Sequence, residues 1–152
     1  MKLVTRLVIA FAICLIAIPA LAIPVRAEEP TISLSYSSGY VGDEVYVSST
    51  GFDDYAGDRL YIRYEVNSNY ETVKRVWVES DGTFISDEFA IPESYKGEHY
   101  IGIDTNQTGT PTWRETFTVK PKLEITEPDD AKGPVGTEVT IKGTGFGEDE
   151  ED

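Results

Sequence analysis

The chain has 152 residues, with 27 acidic and 13 basic side chains and a formal net charge of −14 at pH 7. A surface with this charge repels phosphate backbones, so the composition argues against nucleic acid as a partner. The single cysteine excludes an intrachain disulfide and any metal site built from several cysteines.

Residues 1–27 have the three-part layout of a secretory signal peptide. Lys2 and Arg6 form a basic start, an apolar run follows at 7–18, and small residues lead to Ala27. We expect cleavage after Ala27, which makes the mature acidic chain secreted or exposed at the cell surface. The alternative is an uncleaved anchor, since the apolar segment approaches the roughly 20 residues that span a bilayer. Contact with a membrane is then limited to this segment.

Residues 28–120 predict an all-β domain, because short runs of alternating apolar and polar residues are separated by Gly, Pro, Asn and Asp. Seven such runs in roughly ninety residues are typical of an immunoglobulin-like antiparallel β-sandwich. The runs are 32–36, 44–48, 59–65, 73–79, 83–90, 98–104 and 113–119.

Alternation within these runs predicts which side chains face the core. The run 83–90 breaks the alternation, because Phe84 is out of phase with Phe89. A β-bulge near Ile85 and Ser86 would restore the phase. The expected inward residues are Val45, Val47, Leu60, Ile62, Tyr64, Val76, Val78, Ile101, Ile103, Trp113, Phe117 and Val119.

One phrase occurs twice, as YVGDEVYVSSTGF at 40–52 and as PVGTEVTIKGTGF at 134–146. Gly42 aligns with Gly136, 94 positions later, which is about the length of one small β-sandwich domain. We therefore predict that residues 121–152 begin a second, incomplete repeat. The acidic end of this segment is either a genuine tail or, as we prefer, the point at which a longer repeat protein is interrupted.

The second copy of the phrase resembles the opening of IPT/TIG-type immunoglobulin-like domains, which occur in prokaryotic secreted and surface proteins. The first copy keeps Gly42, Gly51 and Phe52 of this pattern and departs from it at Asp43 and Ser49. The resemblance implies a stalk, spacer or adhesive unit without catalytic residues. We therefore predict a non-enzymatic structural or adhesive module whose partners are other surface repeats or extracellular and cell-wall ligands.

The sequence offers one candidate reactive residue and one candidate metal site. His99 is the single histidine, shares its phase with Ile101 and has no nucleophile motif nearby, so we expect a hydrogen-bonded structural role. Asp53, Asp54 and Asp58 cluster in one loop and are candidate calcium ligands, because calcium prefers hard oxygen donors. Their spacing is not that of an EF-hand, and a solvated acidic loop is the alternative.

The alternation also points Tyr61 and Trp77 outward. A hairpin that closes around Asn69 would place them opposite each other, as an aromatic pair on which sugar rings stack. This gives the alternative function, a carbohydrate-binding module, although cross-strand packing or a domain contact is the simpler explanation of the pair. Asn106 opens an Asn-Gln-Thr sequon and is a candidate glycosylation site. The arginines expected to assist glycan binding are Arg59, Arg63 and Arg75.

Overall fold

The computed structural model describes residues 28–106 and 109–147, and the predicted signal peptide lies outside these ranges. Within them the chain is all-β, and its helical content is limited to one 3-10 turn at Asp53–Tyr55. No helix in this part of the chain is long and apolar enough to cross a membrane.

The strands form two main sheets and two short two-stranded pairings. One main sheet has the order β1-β4-β7 and the other has the order β2-β10-β9-β5-β6. Their bounds are β1 (Thr31–Leu34), β2 (Ser38–Gly39), β3 (Glu44–Val45), β4 (Val47–Thr50), β5 (Arg59–Val66), β6 (Asn69–Trp77), β7 (Phe84–Ile85), β8 (Phe89–Ala90), β9 (Gly97–Asp104), β10 (Trp113–Val119), β11 (Lys122–Glu127) and β12 (Thr140–Thr144).

Among the described strands every pairing is antiparallel except that of β2 with β10, which is parallel. This differs from the purely antiparallel prediction. The reason is that residues 35–37 carry the chain from β1 in the first sheet to the edge of the second sheet without a hairpin turn.

The two main sheets pack their apolar faces against each other and enclose one core, an arrangement consistent with a β-sandwich. All the residues predicted to face inward are buried except Trp113, which is half-buried and packs at the margin of the core. The core side chains are Ile32, Val45, Val47, Phe52, Leu60, Ile62, Tyr64, Val76, Val78, Phe84, Phe89, Ile91, Ile101, Ile103, Phe117 and Val119.

The predicted bulge is present in the stretch that contains β7 and β8. The ladder shifts by one residue between the β3–β8 and β4–β7 pairings, where residues 86–88 lie opposite residues 46–47. Ser86 closes the gap, since its backbone N–H donates to the Val47 carbonyl and its Oγ accepts from the Val47 N–H at 3.0 Å. The extra residue returns both apolar halves of the stretch to the core.

The hairpin of β5 and β6 positions the candidate site. Asn67 and Ser68 form its turn and have φ values of 48° and 63°, as in the two-residue turns whose twist matches that of paired strands. The register then shifts once between Ile62 and Arg63, because β6 carries one extra residue at Val73. The position of the turn and the extra residue at Val73 together decide which outward side chains of β5 and β6 face each other.

Within residues 121–147, which the sequence predicts to begin a second repeat, β11 and β12 form an antiparallel two-stranded sheet. In each copy, the strand that ends at the last threonine of the phrase is antiparallel to the strand that precedes the phrase. Thr50 pairs with Thr31, and its counterpart Thr144 pairs with Lys122, which lies 91 rather than 94 positions after Thr31. The two copies therefore share the pairing of these strands, while the ladder positions differ by three residues.

The glycines of the repeated phrase have the same backbone conformation in both copies. The φ angle is 88° at Gly42 and 94° at Gly136, and it is 80° at Gly51 and 75° at Gly145. Residues other than glycine seldom adopt these values. A Cβ atom at Gly51 or Gly145 would also lie within about 3 Å of the backbone that leads into the first strand of its copy.

Candidate binding face on the five-stranded sheet

The outer face of the five-stranded sheet holds every arginine among the described residues. Arg59 and Arg63 alternate with buried core residues along β5 and therefore point away from the core. Arg75 lies opposite Tyr61, and Arg114 belongs to the same cross-strand row as Arg63, with Gly102 between them. The complete set is Arg59, Arg63, Arg75 and Arg114.

Aromatic rings alternate with these arginines. The guanidinium carbon of Arg59 lies 6.0 Å from the centroid of the Tyr61 ring and 5.8 Å from that of Trp77. The Arg75 carbon lies 5.8 Å from the Tyr61 centroid. At these distances the ring quadrupole attracts the cation and restrains its position.

A second contact of this kind lies on β9 and β10. The Arg114 carbon is 4.3 Å from the centroid of the Tyr100 ring. Its Nη1 atom is 3.5 Å from the Tyr70 hydroxyl oxygen. The two contacts extend the row of arginines and aromatic rings across four of the five strands, from β6 to β10.

Tyr61 and Trp77 do not face each other. Tyr61 pairs with Arg75 and Trp77 pairs with Arg59, so the two rings are diagonal neighbours. The predicted opposition was wrong because the turn at 67–68 and the extra residue on β6 replace the turn expected around Asn69. The partner of Tyr61 is Arg75 instead of Trp77, a shift of two positions that leaves both aromatic rings on the outer face of the sheet. Trp77 is 63% exposed and Tyr61 is half-buried on this side.

The arginines fall into two groups by exposure. Arg63 is only 8% exposed, its Nη1 donates to Thr72 Oγ1 at 3.1 Å, and its Nη2 donates to the Tyr70 carbonyl oxygen. It therefore fixes the β5–β6 hairpin. Arg59, Arg75 and Arg114 are exposed, and none of these three forms an ion pair within residues 28–106 and 109–147. Apart from the Arg114 contact with the Tyr70 hydroxyl, these three side chains have no hydrogen-bond partner among the described residues.

His99 has the hydrogen-bonded structural environment that the sequence predicts. Its Nδ1 lies 3.0 Å from the Glu65 carbonyl oxygen and its Nε2 lies 2.7 Å from the Tyr95 carbonyl oxygen. The ring stacks on Tyr64 with 5.5 Å between centroids. Burial raises the pKa of Tyr64 to about 12, although its hydroxyl shares a hydrogen bond of 2.7 Å with Ser94 Oγ.

Asp53, Asp54 and Asp58 all lie exposed around the 3-10 turn. No group of three or more His, Cys, Asp or Glu side chains suited to a metal ion occurs within the described residues. The loop is closed by its own backbone instead, since the Asp58 N–H donates to the Tyr55 carbonyl and the Asp58 carbonyl accepts from Val78. The calcium site remains a prediction without support from this geometry.

Asn106 is exposed in the loop that follows β9. Asp104 anchors this loop, since its Oδ1 accepts from the Asn106 N–H at 2.9 Å and its Oδ2 from the Gly109 N–H at 3.2 Å. The other two sequon residues lie outside the described residues, so glycosylation of Asn106 also stays a prediction.

The sequence analysis missed three members of the candidate face, Tyr70, Tyr100 and Arg114. The signal for Tyr100 was available, because it alternates with the buried Ile101 and therefore points outward. Its proximity to Arg114 depends on the pairing of β9 with β10, which no local pattern specifies.

Comparison of the chain with protein-family models, with curated proteins and with solved structures finds no match. The resemblance to IPT/TIG-type domains therefore stays a prediction.

Proposed function

We propose that this chain is a non-enzymatic structural or adhesive module of a secreted or cell-surface repeat protein. The observation that carries the proposal is the agreement between the two copies of the repeated phrase. They share the antiparallel pairing of the phrase strand with the strand before it and the same glycine φ angles, and the second copy is hydrogen-bonded to the first domain.

The contact between the copies is centred on Gly145, which is buried. The Lys96 N–H donates to the Gly145 carbonyl at 2.7 Å, and Glu93 Oε1 lies 3.5 Å from the Gly145 nitrogen. Both partners lie in the loop between β8 and β9. Only residues 120 and 121 separate β10 from β11, and Pro121 restricts the backbone there. Such a short linker stiffens the junction, so successive copies would hold a defined relative orientation. A spacer requires such an orientation.

The order of the strands supports an immunoglobulin-like unit as the repeated module. The β1-β4-β7 sheet corresponds to strands A, B and E of that fold, and the β10-β9-β5 part of the second sheet corresponds to strands G, F and C. The IPT/TIG-type motif in the second copy points to the same class of domain.

The alternative function is the stacking of neutral sugar rings on Tyr61 and Trp77, and it is less well supported. The two rings are diagonal rather than opposite, and Tyr61 is half-buried. Arginine guanidinium groups lie near both rings. A flat aromatic platform with two free ring faces is therefore not formed.

The proposed setting is tested by treating intact cells that express the full protein with a protease that cannot enter them. We expect loss of the protein from the intact cells, and a mature N-terminus at Glu28 by mass spectrometry. A cytoplasmic marker should survive the treatment. A protein that is digested only after lysis and keeps residues 1–27 would contradict the proposal.

A further inference from the structure

We propose that the outer face of the five-stranded sheet binds an acidic polysaccharide. On this proposal the exposed arginines contact its carboxylate or sulfate groups, and the indole of Trp77 contacts the apolar side of a sugar ring. We call this surface the arginine face and define it by Arg59, Tyr61, Arg75, Trp77, Tyr100 and Arg114.

Positive charge is distributed unevenly over the molecule. The chain carries a net charge of −14, yet all four arginines of the described residues lie on one side of one sheet. Arginine differs from lysine in presenting a planar fork of donors that matches carboxylate and sulfate oxygens. An anionic ligand therefore finds its charge complement here although the whole molecule is acidic.

The guanidinium groups of the arginine face are restrained in position but not neutralised by a carboxylate. Arg59, Arg75 and Arg114 lie 4.3 to 6.0 Å from aromatic centroids, and none of them forms an ion pair within the described residues. Stacking on a ring restrains a guanidinium group and leaves the N–H donors at its edge available. Less side-chain entropy is then lost when an anion binds.

The nearest carboxylates of the sheet are already engaged. Glu65 Oε2 accepts from the Tyr100 N–H at 3.2 Å. Asp104, opposite Tyr61, accepts from the backbone of the following loop through both of its oxygens. Glu98 is exposed but lies two residues beyond Tyr100, at the end of the sheet away from Trp77. Among the residues of the strands, the positive charge is therefore concentrated at the end that holds Arg59 and Trp77, and the exposed carboxylates of Asp58 and Glu79 lie just outside the strands there.

The shape of the surface favours a polymer. The arginine face is open, and its outermost arginines lie on strands three spacings apart, or about 15 Å. An extended chain with an anionic group at regular intervals can contact several arginines, whereas a small ligand would reach one or two. Duplex nucleic acid is disfavoured, because its dense phosphates would also meet the acidic remainder of the protein.

The test is affinity electrophoresis of the full chain in gels that contain polygalacturonate or its methyl-esterified form. Esterification keeps the sugar backbone and removes the charge. We expect retardation by polygalacturonate and at least about tenfold weaker retardation by the ester. Equal retardation by both polymers, or by neither, would overturn the proposal.

Two double variants separate recognition from net charge. Arg59→Gln with Arg75→Gln should weaken retardation at least about tenfold. Lys120→Gln with Lys132→Gln removes the same charge at exposed positions away from the arginine face. This control should change the retardation less than about twofold. Equal effects of the two double variants would reduce the binding to non-specific charge and refute the assigned site.

Trp77→Ala provides an independent check on the face. It should weaken retardation by polygalacturonate while the melting temperature stays near that of the wild type, and Trp77→Phe should restore part of the binding. A duplex oligonucleotide that competes as well as the polysaccharide would overturn the assignment of ligand class. None of these outcomes bears on the structural role proposed above, which rests on the contact at Gly145 and on the strand pairing and glycine φ angles that the two copies share.

Discussion

The two copies of the repeated phrase have the same local backbone but very different surroundings. Val45 and Val47 of the first copy are 1% and 0% exposed, whereas their counterparts Val139 and Ile141 are 50% and 60% exposed. Antiparallel pairing with the preceding strand and the glycine φ angles are nevertheless the same in both. The phrase therefore sets the local backbone conformation, whereas burial depends on a facing sheet.

The facing sheet in the first copy is the five-stranded one, which supplies about half of the core residues. The β11–β12 ribbon has no such partner among the described residues, and nearly every residue of its strands is exposed. Leu123 and Ile125 are 67% and 45% exposed on this ribbon. Isolated two-stranded sheets of this kind are marginally stable in water, so the ribbon should contribute little to global stability.

The largest difference is expected at the phenylalanine that ends each phrase. Phe52 is fully buried against Phe84 and Trp113, whereas Phe146 is 38% exposed. Phe52→Ala should lower the free energy of unfolding by about 3–5 kcal/mol, and Phe146→Ala by less than about 1 kcal/mol. Urea denaturation of both variants measures this. Equal losses would show that the two copies are packed to the same degree.

The two tryptophans test the same principle within the first domain. Trp113 is half-buried and packs edge-on against Phe52 and Tyr55, with centroid distances of 4.8 and 5.7 Å. Trp77 is 63% exposed. Trp113→Ala should cost about 2–4 kcal/mol and Trp77→Ala less than about 1 kcal/mol in thermal or urea unfolding. A reversed order would disprove the assignment of inner and outer faces.

Alkaline pH should act on the first domain through Tyr64. Its pKa is about 12 in the folded state, against 10.0 for an unperturbed tyrosine. The unfolded chain therefore loses this proton first, so stability from this group is complete below about pH 10 and is lost as the pH rises towards 12. Tyr64→Phe should show a shallower fall of melting temperature between pH 10 and pH 12. If the melting temperatures of the wild type and of Tyr64→Phe fell in parallel over this pH range, ionisation of Tyr64 would not be the cause of the fall.

A smaller difference is expected at the second glycine of each phrase. Gly51 and Gly145 have φ values of 80° and 75°, which cost an alanine about 1–2 kcal/mol. Gly51→Ala should lower the melting temperature of the first domain. Gly145→Ala should leave it nearly unchanged and instead loosen the contact with Lys96, visible as faster rotational diffusion of residues 122–147 by NMR relaxation. A global loss from Gly145→Ala would mean that the ribbon stabilises the first domain.

Much of the fold was predictable, because alternation in short strands depends on local chemistry. The inward residues and the bulge near Ser86 follow from the sequence. Two other features do not follow from the sequence. One is the division of two predicted strands into β3 with β4 and β7 with β8, and the other is the parallel edge strand β2. They depend on which sheet a segment joins, and this is decided by tertiary packing.

The candidate face was predictable only in part. Alternation placed Tyr61 and Trp77 outward correctly, yet their pairing depends on a turn at 67–68 rather than around Asn69 and on an extra residue at Val73 that the sequence did not indicate. A shift of two positions preserves the face and changes the partner. The arrangement of arginines between rings, which gives the face its chemistry, is therefore a product of register rather than of any motif.

Hydrogen exchange tests most directly the claim that the phrase sets local conformation and the facing sheet supplies burial. The amides of residues 45–49 and their counterparts 139–143 are compared in one sample of the full chain. We predict exchange at least about a hundredfold faster in 139–143, because these amides open without unfolding the core. Equal protection of the two stretches would contradict the account.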